Sequence, residues 1–391
     1  MKIIVSFFFV ISCLALNAQQ LRIGLYRDFQ MKRIVFAYND GSYSIHADTS
    51  ELGSILPNEF VELSSDGSGV RLKLGVEDKG IFSKIHLHQN FANSSITLNP
   101  KNPISKQRKY EDDFEITSNN GVLTIVNLVD MENYLSGVVE SEGGGGQQLE
   151  YYKVQALMSR TYALKYLSKH KNEGFSLCDR VHCQAYHSMM RFTPLIDSAV
   201  KSTPAIVMMD AKNNFVDSYF HANCGGQTCE PDYVWNTSIP YLRTFLDTFC
   251  IYTKQAKWVK RVNQLEWEHF LVKEFNFPMN DSVWKSQLYS FEQEQRKAFY
   301  VNPVLGIPLR DLRTQFGLKS TFFSCKLEGS EVVISGRGFG HGVGLCQEGA
   351  MKMAKFGFDY RQIALFYFPG IQVVNLNELN YFNQEINENF E

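Results

Sequence analysis

An excess of charge of either sign is missing from this sequence: 39 Lys and Arg stand against 41 Asp and Glu, a net charge of −2. Such a chain has no electrostatic hold on nucleic acid or on an anionic membrane, so neither is expected as a partner. Any polymer it binds is read by shape and hydrogen bonds. Long apolar runs are missing too, since nothing after residue 16 approaches the ~20 apolar residues of a membrane-spanning helix. There is no G-x-x-x-x-G-K-[ST] phosphate loop, no internal repeat and no low-complexity tract.

What remains is ample for a packed core, with 44% hydrophobic and 14% aromatic residues over 391 positions. The first 18 residues, MKIIVSFFFVISCLALNA, have one lysine, an apolar run and a small residue at Ala18, which is signal-peptide anatomy. The chain is therefore expected to be exported, to the periplasm or cell envelope. A competing reading makes Val10 to Cys13 a lipoprotein cleavage site, which the apolar residues after Cys13 disfavour. With Cys13 removed, seven cysteines are left, an odd number that argues against a complete disulfide framework.

Residues 19–115 read as a β-rich region: LRIGLY, RIVFAY, SYSIHA, VRLKLG and KIHLH alternate with Gly, Asn, Asp and Ser turns. After GVLTIVNLV, the segment QQLEYYKVQALMSRTYALKYLSKH carries apolar residues at helical spacing, directly behind Gly143 to Gly146. PAIVMMDAKNNFVDSYFHA reads as a second β stretch running into CGGQTC. Helical patterns recur at Gln264 to Phe275 and Trp284 to Phe299, within an insertion at about 250–305, and again at Glu348 to Phe356 and Tyr360 to Phe366. The expected fold class is α+β: a mixed, β-rich core with one long helix and C-terminal helices around a cleft.

GRGFGHGVGLCQ, residues 336 to 347, has glycine at every second position to Gly344. As an extended strand it would line one face with five glycines, leaving bare backbone for a sugar chain or a neighbouring strand to approach. Glu140 and Glu142, two apart, would share a strand face, where mutual repulsion raises a pKa. CDRVHC gathers Cys178, His182 and Cys183, with His170 eight residues upstream of Cys178. Thiolate and imidazole suit tetrahedral zinc in a structural role, although a Cys178–Cys183 disulfide or two free thiols fit the same spacing. Cys224 and Cys229 flank Gly225-Gly226 closely enough for a small disulfide loop, with a second metal site including His221 as the alternative.

Three blocks together resemble the stage II sporulation protein D and amidase enhancer (SpoIID/LytB) family. They are NYLSGVVESE with KVQALMSRTYAL, YFHANCGGQT with VWNTSIPYLRTFLD, and LRTQFGLKSTFF with GRGFGHGVGLCQEGAMKMAKFG and YFPGI. The resemblance covers roughly 250 residues and implies a family-like domain at 116–375, followed by a tail at 376–391. It implies peptidoglycan as substrate and a lytic transglycosylase that cleaves between N-acetylmuramic acid and N-acetylglucosamine, leaving a 1,6-anhydro end. Glu142 matches the family's catalytic acid. The other branch of the family implies a non-catalytic glycan-binding partner that stimulates a cell-wall amidase. Zinc at a Cys/His cluster occurs in some members, with His170, Cys178, His182 and Cys183 the matching positions here. One departure stands out: the family commonly has Met-Pro after the glutamate, whereas Gly143 to Gly146 follow here.

The chemistry expected of these residues is specific. A carboxyl protonates a leaving oxygen at neutral pH only if its pKa is raised, and a lytic transglycosylase needs one such group, acting as acid and then as base. Glu142 is assigned both steps. Glu140, His341 and Gln347 are candidates for sugar contacts, and Arg337 for a lactyl or peptide carboxylate.

Overall fold

The computed structural model describes residues 20–379. The segment read as a signal peptide, 1–18 with Cys13, and residues 380–391 of the tail read at 376–391 lie outside the described residues. The chain divides into two compact units that meet in sequence at Tyr134 and Leu135.

The first unit is all β. Its strands are β1 (Gln20–Leu25), β2 (Arg33–Asp40), β3 (Tyr43–Ala47), β4 (Ser50–Ile55), β5 (Phe60–Asp66), β6 (Gly69–Leu74), β7 (Glu77–Phe82), β8 (Lys84–Gln89), β9 (Ser95–Asn102), β10 (Arg108–Glu111), β11 (Asp113–Asn119) and β12 (Val122–Asp130). They form two antiparallel sheets, with neighbours β1-β12-β11-β8-β3-β4 in one and β10-β9-β2-β5-β6-β7 in the other. Period-two burial gives each sheet an apolar face. Ile34, Phe36, Leu63 and Leu72 of one sheet and Ile45, Ile85, Phe114 and Ile116 of the other are fully buried. Phe36 meets Phe114 edge to face at 5.5 Å, joining the two sheets through one core contact.

The second unit follows with α1 (Met131–Gly143), α2 (Leu149–Lys165), β13 (Leu177–Cys178), α3 (Pro194–Lys201), β14 (Ile206–Met209), β15 (Phe220–His221), α4 (Asp232–Trp235), β16 (Lys257–Asn263), α5 (Gln264–Phe275), α6 (Ser282–Gln287), α7 (Leu309–Gln315), β17 (Phe323–Glu328), β18 (Glu331–Arg337), β19 (Leu345–Cys346), α8 (Gln347–Lys355), α9 (Tyr360–Tyr367) and β20 (Gln372–Asn375). Helix α2 is its centre: Tyr151 to Ala163 are almost continuously buried, and α3, β14, α8 and α9 pack around it. Covered on so many sides, it buries Gln155, Ser159, Arg160 and Thr161 along with its apolar side chains. The described chain is thus α+β, as the patterning indicates.

Strand β18 pairs with β16 and β17, and α5 to α7 cover that sheet through Trp267, Leu271, Leu312 and Phe316. Helix α5 spans the expected Gln264–Phe275, with Asn263 capping its first turn by accepting from the amides of Leu265 and Glu266. Helix α6 ends at Gln287, so the helical pattern read on to Phe299 does not hold as one element; Phe291, Arg296 and Tyr300 are buried by individual tertiary contacts instead. Of the β stretch read from Pro204, only β14 and the two residues of β15 are strand.

Candidate active site

NYLSGVVESE is helical, not extended. Helix α1 carries it, with Tyr134, Leu135, Val138 and Val139 buried at helical spacing. Glu140 and Glu142 therefore sit about 200° apart around the helix rather than on one face, and the expected repulsion between them is not the force acting on Glu142.

The last turn of α1 instead holds a loop. Glu140 accepts the amides of Arg191 and Phe192 at 2.9 and 2.8 Å, Ser141 accepts that of His187 at 3.2 Å, and Glu142 Oε1 accepts that of Ala185 at 2.8 Å. Three successive side chains thus satisfy backbone donors that a loop would otherwise leave open. Burial pushes the Glu142 carboxyl above the ordinary carboxylate range, and the Ala185 amide offsets this only in part.

Glu142 lines a cleft of about 960 Å³ together with His341 and Gln347, with Tyr162, Tyr166 and Lys169 from α2 and the turn after it, and with Tyr219, His221, Trp235, Arg313 and Phe339. Among the described residues that line it, Glu142 is the sole carboxylate. Glu140 is not part of this wall, because its carboxylate is spent on the loop amides.

The glycine block is not a strand past Arg337. Gly338, Gly340, Gly342 and Gly344 have φ of 77°, 108°, 86° and 71°, which extended L-residues do not adopt. The bare backbone is needed against another backbone. Asn223 and Phe339 exchange both N–H···O bonds, at 3.0 and 2.8 Å, Cys229 donates to Gly342 at 2.8 Å, and Leu345 donates to Tyr219 at 3.0 Å. A Cβ on Gly338 would stand 2.5 Å from the Asn223 carbonyl, and one on Gly344 2.2 Å from that of Tyr219. YFHANCGGQTC and GRGFGHGVGLCQ are two strips of one wall.

Within that wall, two histidines hold the backbone of one residue, Val343, from its two sides. The Val343 amide donates to His341 Nδ1 at 3.0 Å, and His221 Nδ1 lies 3.1 Å from the Val343 carbonyl, which it donates to. His341 also bonds the Phe220 backbone, so both of its ring nitrogens are engaged. Burial and the facing Arg313 guanidinium push its pKa down to about 4. His341 thus lines the cleft as a neutral residue whose ring nitrogens are engaged by the wall. His221 was not assigned to the cleft. With Nδ1 donating, its Nε2 is a lone-pair acceptor, buried and without a hydrogen-bond partner among the described residues.

Gln347 is buried at the start of α8 and donates to Gln155 at 3.3 Å, so it reaches the cleft as part of a network with α2. Arg337 lies elsewhere: it lines a separate depression with Trp258 and Ser324, donates to the carbonyls of Gln293 and Glu294, and stacks 3.7 Å from the Phe322 ring centre. Its guanidinium serves the fold, and no Asp partner is involved. Trp235, 42% exposed, stands 5.1 Å from His341 and 4.7 Å from Tyr219 by ring centres. It and Arg313 lie inside blocks of recognisable sequence, yet nothing in their local pattern marks them as cleft residues.

His170, Cys178, His182 and Cys183 converge beside the cleft, each offering a ligand atom within 4.8 Å of the others. Cys183 Sγ lies 3.4 Å from His170 Nε2, and Cys178 Sγ 3.8 Å from His182 Nδ1. Glu173 holds His170 Nδ1 at 2.5 Å, fixing the tautomer that leaves Nε2 for a metal. The donor set fits a tetrahedral ion, and the cysteines are free thiols here rather than a disulfide. Cys224 is not joined to Cys229; it neighbours Cys250, Cys346 and Asp247, and His221 is not in that group. No helix among the described residues is long and apolar enough to cross a membrane.

An α+β unit whose glycine-rich wall, buried acid and Cys/His cluster frame one cleft defines the class. A family model described as stage II sporulation protein matches residues 119–209. An uncharacterized protein of Brachyspira hyodysenteriae is 28% identical over 338 residues, which is 85% of this chain and 86% of that protein. Stage II sporulation protein D of Bacillus subtilis is 26% identical over 262 residues, 63% of this chain and 75% of the relative, and the amidase enhancer of the same species is 24% identical over 286 residues, 60% and 39%. The chain is thus similar to proteins of the SpoIID/LytB family, the one its three sequence blocks resemble.

Proposed function

We propose that this chain is an extracytoplasmic, cell-wall-acting protein and that its cleft is a lytic transglycosylase site for peptidoglycan. The relatives named for stage II sporulation and for amidase enhancement support the cell-wall assignment. The observation that carries the chemistry is a single carboxylic acid, with its pKa raised by burial, facing a cleft with no second carboxylate among the described residues that line it. Hydrolases of glycans place two carboxyls ~5 to 9.5 Å apart; one suffices when the nucleophile belongs to the substrate.

The reaction follows from Glu142 alone. The Ala185 amide occupies Oε1, so the acid proton is carried on Oε2. That proton passes to the oxygen bridging N-acetylmuramic acid and N-acetylglucosamine as the muramyl C1–O bond breaks. The muramyl 6-hydroxyl then attacks C1 and returns its proton to Glu142, closing the 1,6-anhydro ring without water. Trp235, Tyr219 and Phe339 offer aromatic faces for sugar rings, and Arg313 or Lys169 pairs with the lactyl or stem-peptide carboxylate. His170, Cys178, His182 and Cys183 would hold zinc in a structural role, in which it would tie down the loop that reaches Ala185.

The second reading, a non-catalytic glycan-binding enhancer of a cell-wall amidase, is favoured by the relative of that name and by the exposed glycines that follow Glu142. Purified protein incubated with peptide-free glycan strands separates the two. Anhydromuramyl ends detected by mass spectrometry support the lytic site; binding without product supports the enhancer.

A further inference from the structure

A second group of ligating side chains lies outside the cleft. Cys224, Asp247, Cys250 and Cys346 are all buried, and their ligand atoms lie within 4.8 Å of one another. Cys224 Sγ is 3.3 Å from Cys250 Sγ and 3.3 Å from Asp247 Oδ2. Four ligands at ~2.0 to 2.3 Å from a tetrahedral ion stand roughly 3.3 to 3.8 Å apart, so the spacing matches.

Backbone amides are aimed at two of the three sulfurs. The amides of Cys224 and Gly349 donate to Cys346 Sγ at 3.3 and 3.4 Å, and those of Gly225 and Gly226 donate to Cys250. Amides aimed at sulfur, like donors behind a ligating carboxylate, are the outer support that metal ligands require. Asp247 has that support too: Tyr367 donates to Oδ2 at 2.8 Å and the Phe249 amide to Oδ1 at 2.9 Å. A disulfide between Cys224 and Cys250 would use two of these four groups and leave a carboxylate and a thiol facing each other in the core, at the cost of an uncompensated buried charge.

We propose that Cys224, Asp247, Cys250 and Cys346 form a second, fully buried metal site for a thiolate-preferring divalent ion, zinc foremost. Binding exchanges three thiol protons, released to solvent, for one ion, with no change of oxidation state. The remaining negative charge of three thiolates and a carboxylate is met by the five amides and the Tyr367 hydroxyl. The ion joins three segments that are distant in sequence: the loop after β15, the turn at 247–250 and the start of α8. Cys346 directly precedes Gln347, so the site pins the point where the glycine wall enters the cleft. This role is independent of whether the cleft cleaves glycan.

The test uses the full chain purified without chelator. In the Cys178→Ser/Cys183→Ser variant, which disables the cluster beside the cleft, elemental analysis is expected to find about one zinc per chain. Cobalt exchanged into the same variant is expected to give the intense sulfur-to-metal absorption of a tetrahedral thiolate site. Folded variant without metal overturns the proposal. Should that variant fail to fold, the wild type decides: Cys224, Cys250 and Cys346 are expected to resist alkylation until metal is stripped. A Cys224–Cys250 disulfide in its unreduced peptide map, or alkylation that ignores metal, rejects the site.

Discussion

The Glu142 carboxylate accepts the amide of Ala185 at 2.8 Å, and Ala185 follows Cys183 of the Cys/His cluster by two residues. The only carboxyl among the described cleft residues is thus oriented by a loop whose own shape depends on His170, Cys178, His182 and Cys183. His182 is part of the same brace, its carbonyl accepting from Lys169 at 2.7 Å.

If Glu142 is the acid, Glu142→Gln keeps the Ala185 hydrogen bond and loses the proton. Glycan cleavage is expected to fall by ~10² to 10⁴-fold, while binding of intact strands, read by co-sedimentation, is unchanged. A loss of binding in parallel would mark a structural role.

The pH dependence follows from the direction of the shift. Glu142 titrates above its unfolded value, so between the two pKa values the folded state holds more protons and stability falls as pH rises. Above that window the ionised wild type carries the burial cost that Glu142→Gln lacks. The variant is therefore expected to be the more stable at neutral pH, with the difference vanishing below about pH 4.5. Cleavage is expected to decline as pH climbs through the raised pKa. Tyr151, Lys169, Arg313, His221 and His341 also face this region; His341, held near 4, adds no limb around pH 6.5. Denaturation midpoints and initial rates across pH measure both.

Gly344→Ala places a Cβ against the Tyr219 carbonyl in a left-handed backbone. The strain alone costs about 1 to 3 kcal/mol, or roughly 2 to 12 °C in Tm for a unit of this size. Gly357→Ala has a similar φ and open space around it, so it pays for conformation only. Calorimetry is expected to rank Gly344→Ala as clearly the more damaging.

Opening the Cys/His cluster beside the cleft is expected to act on Glu142 at one remove. Cys183→Ser is expected to lower Tm and to lower the cleavage rate more than strand binding, because the Ala185 amide loses its fixed place. Equal rates in wild type and Cys183→Ser would separate the cluster from the acid.

Much of this was legible before any coordinates. Alternating apolar residues gave β1, β2, β3, β6 and β8, and the helical spacing and flanks of 264–275 and 360–366 located α5 and α9 closely. Glu142, Gln347 and His341 do line one cleft, as their motifs suggest. The errors have physical causes. Val138-Val139 favours a strand by local propensity, but Leu135 and Val138 at helical spacing bury one face of α1, and tertiary packing decides. Alternate glycines suggest an extended run, although glycine's freedom was used for positive φ. Arg337, Cys224, His221 and Trp235 could not be placed from sequence, because their partners lie tens of residues or more away in the chain: Arg337 meets Gln293, and Cys224 meets Cys250 and Cys346.

The most direct test of the central claim compares wild type with Glu142→Gln on peptide-free glycan strands, scoring anhydromuramyl ends by mass spectrometry. The account predicts that wild type produces them and that the variant, folded and still bound to the strands, does not. Equal product from both, or none from wild type under conditions where it binds, would contradict it.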